Sequence, residues 1–301
     1  AQELLCDFAS SGDTFLSNDV LEKLRILTNH PIEKSGPEGN VWYWKYPVEA
    51  VNYVVSADVS RGDSGDYSTL HVINTKDMSV DVEYKGKIPP DHFASLIYDI
   101  AKRYNKAIVC PENNAYGYTV LVKLGELGYK NIYLSTEKEK YKFLYGEGNN
   151  IGKAGFNTNK ESREKILANF EEMLRNGRLK TTSVRLYSEL KTFVWNGKKV
   201  GAMKGYNDDL VMSLAIGSWL ADSNFSNYNV TQIQQADAIL KGMAINNTDI
   251  NKTVMSPFYM NSHNTVNPMI PVILPESSFG TKAEPTKKNP LGDLSWLIGR
   301  K

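Results

Sequence analysis

The sequence predicts an α/β protein whose central sheet mixes antiparallel and parallel neighbours. Three short alternating runs follow one another between Val51 and Lys85, joined by turn residues, as an antiparallel meander requires. From Pro89 to Leu134, helical stripes then alternate with short apolar runs, the pattern of strands joined by crossover helices. Two of the apolar runs end on an acid, Asp58 and Glu112.

The bulk numbers agree with a globular chain. It has 301 residues, 41% hydrophobic and 23% charged, with a net charge of +1. A whole-molecule field for nucleic acid is therefore excluded, and any basic footprint must be local. No apolar run approaches the roughly 18–20 residues that span a bilayer. The first residues lack the basic-then-apolar layout of a secretory leader. The two cysteines, Cys6 and Cys110, are far apart, which excludes a disulfide scaffold or a Cys-zinc site and predicts a reducing, intracellular setting. The chain opens at Ala1 with sequence of mid-domain character and is expected to be a fragment of a longer protein.

Residues 1–50 read as a linker segment. Thr14–Leu16 predicts a short strand, and Ser17 or Asn18 caps a helix over Asp19–Leu27. Pro31–Gly39 reads as a loop, and Trp42, Tyr43, Trp44 and Tyr46 as an aromatic strand packing onto the main sheet. The meander follows, with strands at Val51–Asp58, Tyr67–Asn74 and Val80–Lys85. Pro89-Pro90 opens a helix whose stripe is Phe93, Leu96, Ile97, Ile100 and Ala101. Ala107–Cys110 is a buried strand, Gly117–Leu127 a helix ended by Gly128, and Asn131–Leu134 a fifth strand.

Beyond this the character changes. Residues 138–204 hold 15 Lys and Arg against 7 Asp and Glu, a local excess of positive charge. The window includes the Gly-rich stretch Tyr145–Gly155, a helix over Asn159–Arg175, a second over Ser183–Trp195, and a small strand at Lys198–Met203. A last helix opens at Asp208-Asp209, with Asn207 as its cap, and runs to Leu220. Residues 223–301 are rich in Asn, Ser, Thr and Pro and read as a peripheral arm or tail, with one helical turn at Asp237–Met243 and an apolar end at Leu291–Ile298.

Parallel neighbours would bring Asp58 and Glu112 to one carboxyl edge, where open α/β sheets place their ligands. The helix opening at Asp208 and Asp209 adds a third acid there. Taken singly, each acid also reads as turn or cap chemistry; their placement at corresponding element ends is what points to a centre. Carboxylates gathered so closely repel one another, and a divalent cation relieves them. Ligands that are all oxygen favour Mg2+ or Mn2+ over zinc. Two such ions activate water and stabilise the leaving oxygen of a phosphodiester without a protein nucleophile. The four histidines show no close pairing, and His71 reads as a structural residue on a strand.

Five stretches in order resemble the nuclease domain of the large terminase subunit, the DNA-packaging motor of tailed phages. They are VVSADVSRGDSGDYSTLHVI, VCPENNAYG, GFNTNKESREKILANFEEML, ELKTFVW and GYNDDLVMSLAIGSWL, together spanning about residues 50–222. Ser11–Thr14 resembles the approach to that domain. The resemblance implies a ribonuclease H-like fold over residues 51–222, with 1–50 leading in from a missing ATPase domain. It implies Asp58, Glu112 and Asp209 as catalytic and metal-binding acids, with Asp208 a further metal ligand and Asp66 an acid beside the site that joins the metal set through water or orients a ligand. Asn207 stands where the family often has His.

The same resemblance implies cleavage of concatemeric double-stranded DNA during genome packaging, with a portal protein and a small terminase subunit as partners. Host cytoplasm at the procapsid portal is the implied location. Lys153, Lys160, Arg163 and Lys165 are the expected phosphate contacts. No G-x-x-x-x-G-K-[S/T] occurs, so the chain itself is not expected to hydrolyse ATP. A junction resolvase, or a module that grips DNA or docks a portal without catalysis, would share the fold.

Overall fold

The computed structural model describes residues 14–63, 65–135, 153–223 and 238–243. Its frame is a six-stranded sheet in the order β1-β2-β5-β4-β3-β6. The strands are β1 (Glu33–Ser35), β2 (Val41–Tyr43), β3 (Tyr53–Asp58), β4 (Ser68–Asn74), β5 (Ser79–Gly86) and β6 (Ile108–Pro111). β3, β4 and β5 form the antiparallel meander, and β6 joins β3 in parallel, so the sheet is mixed as the sequence predicts. Two short strands, β7 (Leu134–Ser135) and β8 (Lys153–Ala154), pair beside the β6 end.

Helices cover both faces of the sheet. One face carries α2 (Pro90–Arg103) and α3 (Ala115–Glu126), packed on Val55, Ala57, Leu70, Val72 and Val82. The other carries α1 (Asn18–Leu27), α4 (Lys160–Arg175), α5 (Val184–Lys191) and α6 (Asp209–Ser223), packed on Val54, Ile73, Val80 and Ile108. Val54 and Val55 thus serve opposite cores, as the two-residue period of a strand dictates. Each is fully buried, which explains why β3 reads as an unbroken apolar run rather than an alternation.

α6 is the central helix. Leu210, Val211, Met212, Leu214, Ala215, Ile216 and Leu220 are all buried, so apolar residues surround its axis as they do in helices closed in on every side. Gly217 lets it approach the sheet: a Cβ there would lie 2.2 Å from Ser56 Oγ on β3.

Several elements differ from expectation. The loop expected at Pro31–Gly39 contains β1, because Glu33–Ser35 pairs with Val41–Tyr43 and so extends the sheet. Residues 14–50 accordingly supply two strands to the sheet and α1 to the core. The helix expected over Ser183–Trp195 stops at Lys191. Phe193–Asn196 (β9) and Lys199–Ala202 (β10) instead form a hairpin about Gly197, where φ is +62°. Asn-Gly between aromatic and β-branched residues is a hairpin signal that outweighs the helical spacing before it. The fifth strand is displaced to β7, with Ile132 making a single bridge to Val109. Thr14 bridges Val194 without forming a longer strand. Residues 238–243 are helical, close to the expected turn, and seat Leu240 in the core beside α3. Residues 145–152 of the Gly-rich stretch and Leu291–Ile298 lie outside the described residues.

Candidate active site

The parallel register pairs Ala57 with Pro111, so the next residues, Asp58 and Glu112, leave the sheet side by side. The Glu112 N–H donates to the Ala57 carbonyl at 2.8 Å, which carries the ladder to the edge. Asn114 then fixes the turn. Its amide nitrogen donates to Glu112 Oε2 and to the Val59 carbonyl, both at 3.2 Å, while its Oδ1 accepts from Tyr116 N and Gly117 N to cap α3. Gly117 is required by the same turn, since a Cβ there would sit 1.8 Å from the Glu112 carbonyl oxygen. The motif ENNAYG is therefore local machinery for aiming one carboxylate.

The third acid arrives from α6. The Asp209 backbone carbonyl accepts from Thr69 Oγ1 at 2.8 Å, and Asp209 Oδ2 accepts from Tyr67 N at 3.3 Å. These bonds tie the start of α6 to the edge of β4. Asp208, just before the helix, accepts from Arg163 Nη2 at 3.1 Å. The cap expected of Asn207 is made elsewhere. Glu189 reaches across from α5, and its Oε2 accepts from Leu210 N at 2.9 Å and Val211 N at 3.2 Å. Asn207 instead donates to the Gly65 carbonyl at 3.4 Å.

Electrostatics set this edge apart. Burial, then the Glu112 carboxylate in hydrogen-bonding contact, then Asp209 and Asp208 push the Asp58 carboxyl well above the usual carboxylate range. Asp209 is pushed up to about 6, chiefly by burial, with Asp66 and Asp208 adding to it and the Tyr67 N–H and Lys85 opposing. Glu189 is pushed up to about 7 by burial, against the pull of Lys85.

Asp58 and Glu112 are thus in contact, and Asp208 and Asp209 are near enough to act on Asp58 through space. Asp66 is exposed and acts on Asp209, while Asp63 is spent on Arg61 at 2.5 Å. Among the described residues, no three His, Cys, Asp or Glu side chains are already gathered at the spacing of a metal cage. The donor set is nevertheless carboxylate oxygen throughout, and its mutual repulsion is of the kind a hard divalent cation relieves.

The basic candidates are dispersed. Arg163 pairs with Asp208, and Lys165 pairs with Glu161 one turn away at 2.6 Å. Lys153 is exposed on β8 and Lys160 at the first turn of α4. Glu189 and Lys85 are the residues that sequence reasoning missed. Leu186, Glu189 and Leu190 share one helical face at i, i+3 and i+4, so a Glu on an apolar stripe was the available signal. Lys85 carries no comparable mark.

No family model matches the chain. Solved structures do. A magnesium-bound crystal structure of the large terminase nuclease from thermophilic phage G20c aligns over 70% of this chain and 97% of its own, at 16% identity and a TM-score of 0.51. Its cobalt-bound form aligns with the same coverage and score. The large terminase nuclease domain of Thermus phage P74-26 aligns over 68% of this chain and 96% of its own, at 16% identity and a TM-score of 0.52. With its mixed six-stranded sheet flanked by helices, this chain has the ribonuclease H-like fold of the large terminase nuclease domains.

Proposed function

We propose that this chain carries a metal-dependent endonuclease domain of a phage large terminase, centred on Asp58, Glu112 and Asp209 and cutting double-stranded DNA during packaging. The observation that carries the reading is the convergence of carboxylates from β3, β6 and α6 at one sheet edge, with Asp58 pushed up by burial and then by its acidic neighbours. Strongly perturbed acids of this kind concentrate at functional sites. The solved relatives bind magnesium and cobalt, which supports a divalent cation here.

Asp58, Glu112 and Asp209 would hold the cation, with Asp208 beside them and Asp66 at the rim; the expectation of two ions belongs to this reading. When bound, a divalent cation supplies charge neutralisation at the phosphodiester and a more acidic water. The chain's own residues do the positioning. Asn114 orients Glu112, Thr69 and Tyr67 hold Asp209, and Arg163 holds Asp208. The nuclease domain on this reading spans about residues 51–222, with residues 14–50 completing its sheet and core. An ATPase domain of the full-length chain, a portal protein and a small terminase subunit are its proposed partners, at the procapsid portal in the host cytoplasm. Among the described residues no helix is long and apolar enough to cross a membrane.

Plasmid nicking with Mg2+ or Mn2+ tests the centre. Asp58→Ala should lower the rate at least about 100-fold while the circular dichroism spectrum stays native. Unchanged metal-dependent nicking in that variant would sink the assignment.

A further inference from the structure

A groove of about 740 Å³ runs along the outside of the acid edge, between the end of β5 and the start of α6. Its walls include Tyr67, Lys85, Lys87, Arg185 and Tyr206, together with the acids Glu38 and Glu189, the latter paired with Lys85. We propose that this groove holds the sugar-phosphate backbone of the DNA strand beside the carboxylate centre, with Lys87 and Lys85 as phosphate contacts and Tyr206 as an apolar platform. The inference rests on the nuclease reading for its substrate, but its geometry stands apart from the acids.

Four features converge. First, the groove is physically continuous with the acid edge, because the Tyr67 N–H that lines it donates to Asp209 Oδ2. A strand lying in the groove therefore passes the third acid. Second, Lys85 and Lys87 are two residues apart on β5 and its extension, and both ammonium groups stand over the Tyr67 ring, at 4.7 and 5.4 Å. A ring shared by two cations helps fix where they sit.

Third, the two lysines are differently committed. Lys85 Nζ is bonded to Glu189 Oε1 at 2.5 Å, so it is anchored to the same carboxylate that caps α6. Lys87 is exposed and, among the described residues, pairs with no acid. Fourth, Tyr206 is 54% exposed although it is a large aromatic side chain. An aromatic platform beside a cation is the pairing that sugar-phosphate and unstacked bases use.

Charge bears on which surface a backbone can follow to the acids. A phosphate approaching four carboxylates is repelled unless cations flank its path. On the α4 side, Arg163 already answers Asp208 and Lys165 answers Glu161, while Lys160 is exposed and pairs with no acid among the described residues. On the β5 side, Lys87 likewise pairs with no acid among the described residues, and the groove adds the exposed Tyr206.

The test is binding of a duplex of about 30 base pairs to the whole chain, by fluorescence anisotropy in EDTA, where no cleavage occurs. Lys87→Ala should raise Kd about 3- to 10-fold and reduce the salt slope by about one. Tyr206→Ala should raise Kd about 3-fold or more with the slope unchanged, because it removes a platform rather than a charge. Both side chains are exposed, so neither change endangers folding, whereas replacing Lys85 would also disturb Glu189. Wild-type affinity in both variants, with weakened binding in Lys160→Ala, would overturn the groove. Asp58→Asn separates the two proposals. If it abolishes nicking while the Lys87 and Tyr206 variants bind normally, the groove falls and the centre stands. If it nicks normally while those variants bind weakly, the centre falls and the groove stands.

Discussion

Glu83 and Asp58 lie two strands apart in one sheet, and the deeper of the two is the more readily ionised. Glu83 on β5 is fully buried, and burial alone pushes its carboxyl up. His71 and Arg185 outweigh that, and the net direction is below the ordinary value. Arg185 Nε donates to Glu83 Oε1 at 2.8 Å, and the guanidinium stacks 3.7 Å above the Trp42 ring. His71 Nε2 stands 3.4 Å from the other oxygen, an ion-pair distance rather than a well-formed hydrogen bond, and its Nδ1 meets Ser213 Oγ at 2.9 Å. Asp58 is driven up first by burial, and its acidic neighbours Glu112, Asp209 and Asp208 add to that push where Glu83's cations offset it. Depth sets the cost of a charge; the sign of its neighbours decides the outcome. Glu83 has its cation built in, and Asp58 has a place for one.

That contrast can be broken from either side. The largest effect is expected at Glu83. Arg185→Met strands a buried carboxylate and should destabilise the fold by about 3 kcal/mol, seen as a lower midpoint in urea unfolding. A midpoint within error of wild type would mean that Glu83 does not depend on its cation.

At Asp58 the opposite sign is expected. Asp58→Asn removes one member of a repelling group, so the metal-free variant should melt above wild type. Mn2+ should raise the wild-type melting point, since ligand at a hundredfold excess over Kd adds about 2.7 kcal/mol to the folded state. The same titration should barely move Asp58→Asn. Equal Mn2+ stabilisation of both proteins would show that the ion binds elsewhere.

Asp81 sharpens the comparison, because it has a partial partner. It is buried on β5, accepts from Ser79 Oγ at 2.6 Å, and lies 3.9 Å from Lys45 Nζ. Burial still pushes it up to about 6. A raised carboxyl favours the folded state fully below its unfolded value near 4, and that contribution is lost as pH rises through about 6. Asp81→Asn should therefore gain on wild type across that window, by on the order of 2 kcal/mol at pH 7. Denaturant midpoints at pH 4 and pH 7 measure it; a difference that does not change with pH would rule out Asp81 as the titrating group.

Legibility varied with the range of the interaction. The meander, α2, β6 and α4 follow from short-range patterns: β-branched runs, a Pro-Pro helix start, and an Asn159–Ser162 pair that caps reciprocally. Asn196-Gly197 is equally local, and in the fold its hairpin signal outweighs the helical spacing of the preceding turn. The acids Asp58 and Glu112 were visible because each ends an apolar run. Glu189 and Lys85 were hidden because their roles are created by pairing across 104 residues.

By itself, the sequence determined the order of elements from β3 to α3, the helices α4 and α6, the two acids at strand ends, and the Asp-Asp pair opening the last helix. These depend on side-chain period and capping, which act over a few residues. The tertiary structure decided the register that sets Ala57 against Pro111, the close seating of Gly217 on Ser56, and which cations meet which acids. Those outcomes depend on how elements distant in sequence pack. A carboxylate carries the same composition beside Arg185 as beside Glu112, and only the fold gives the charge near it a sign.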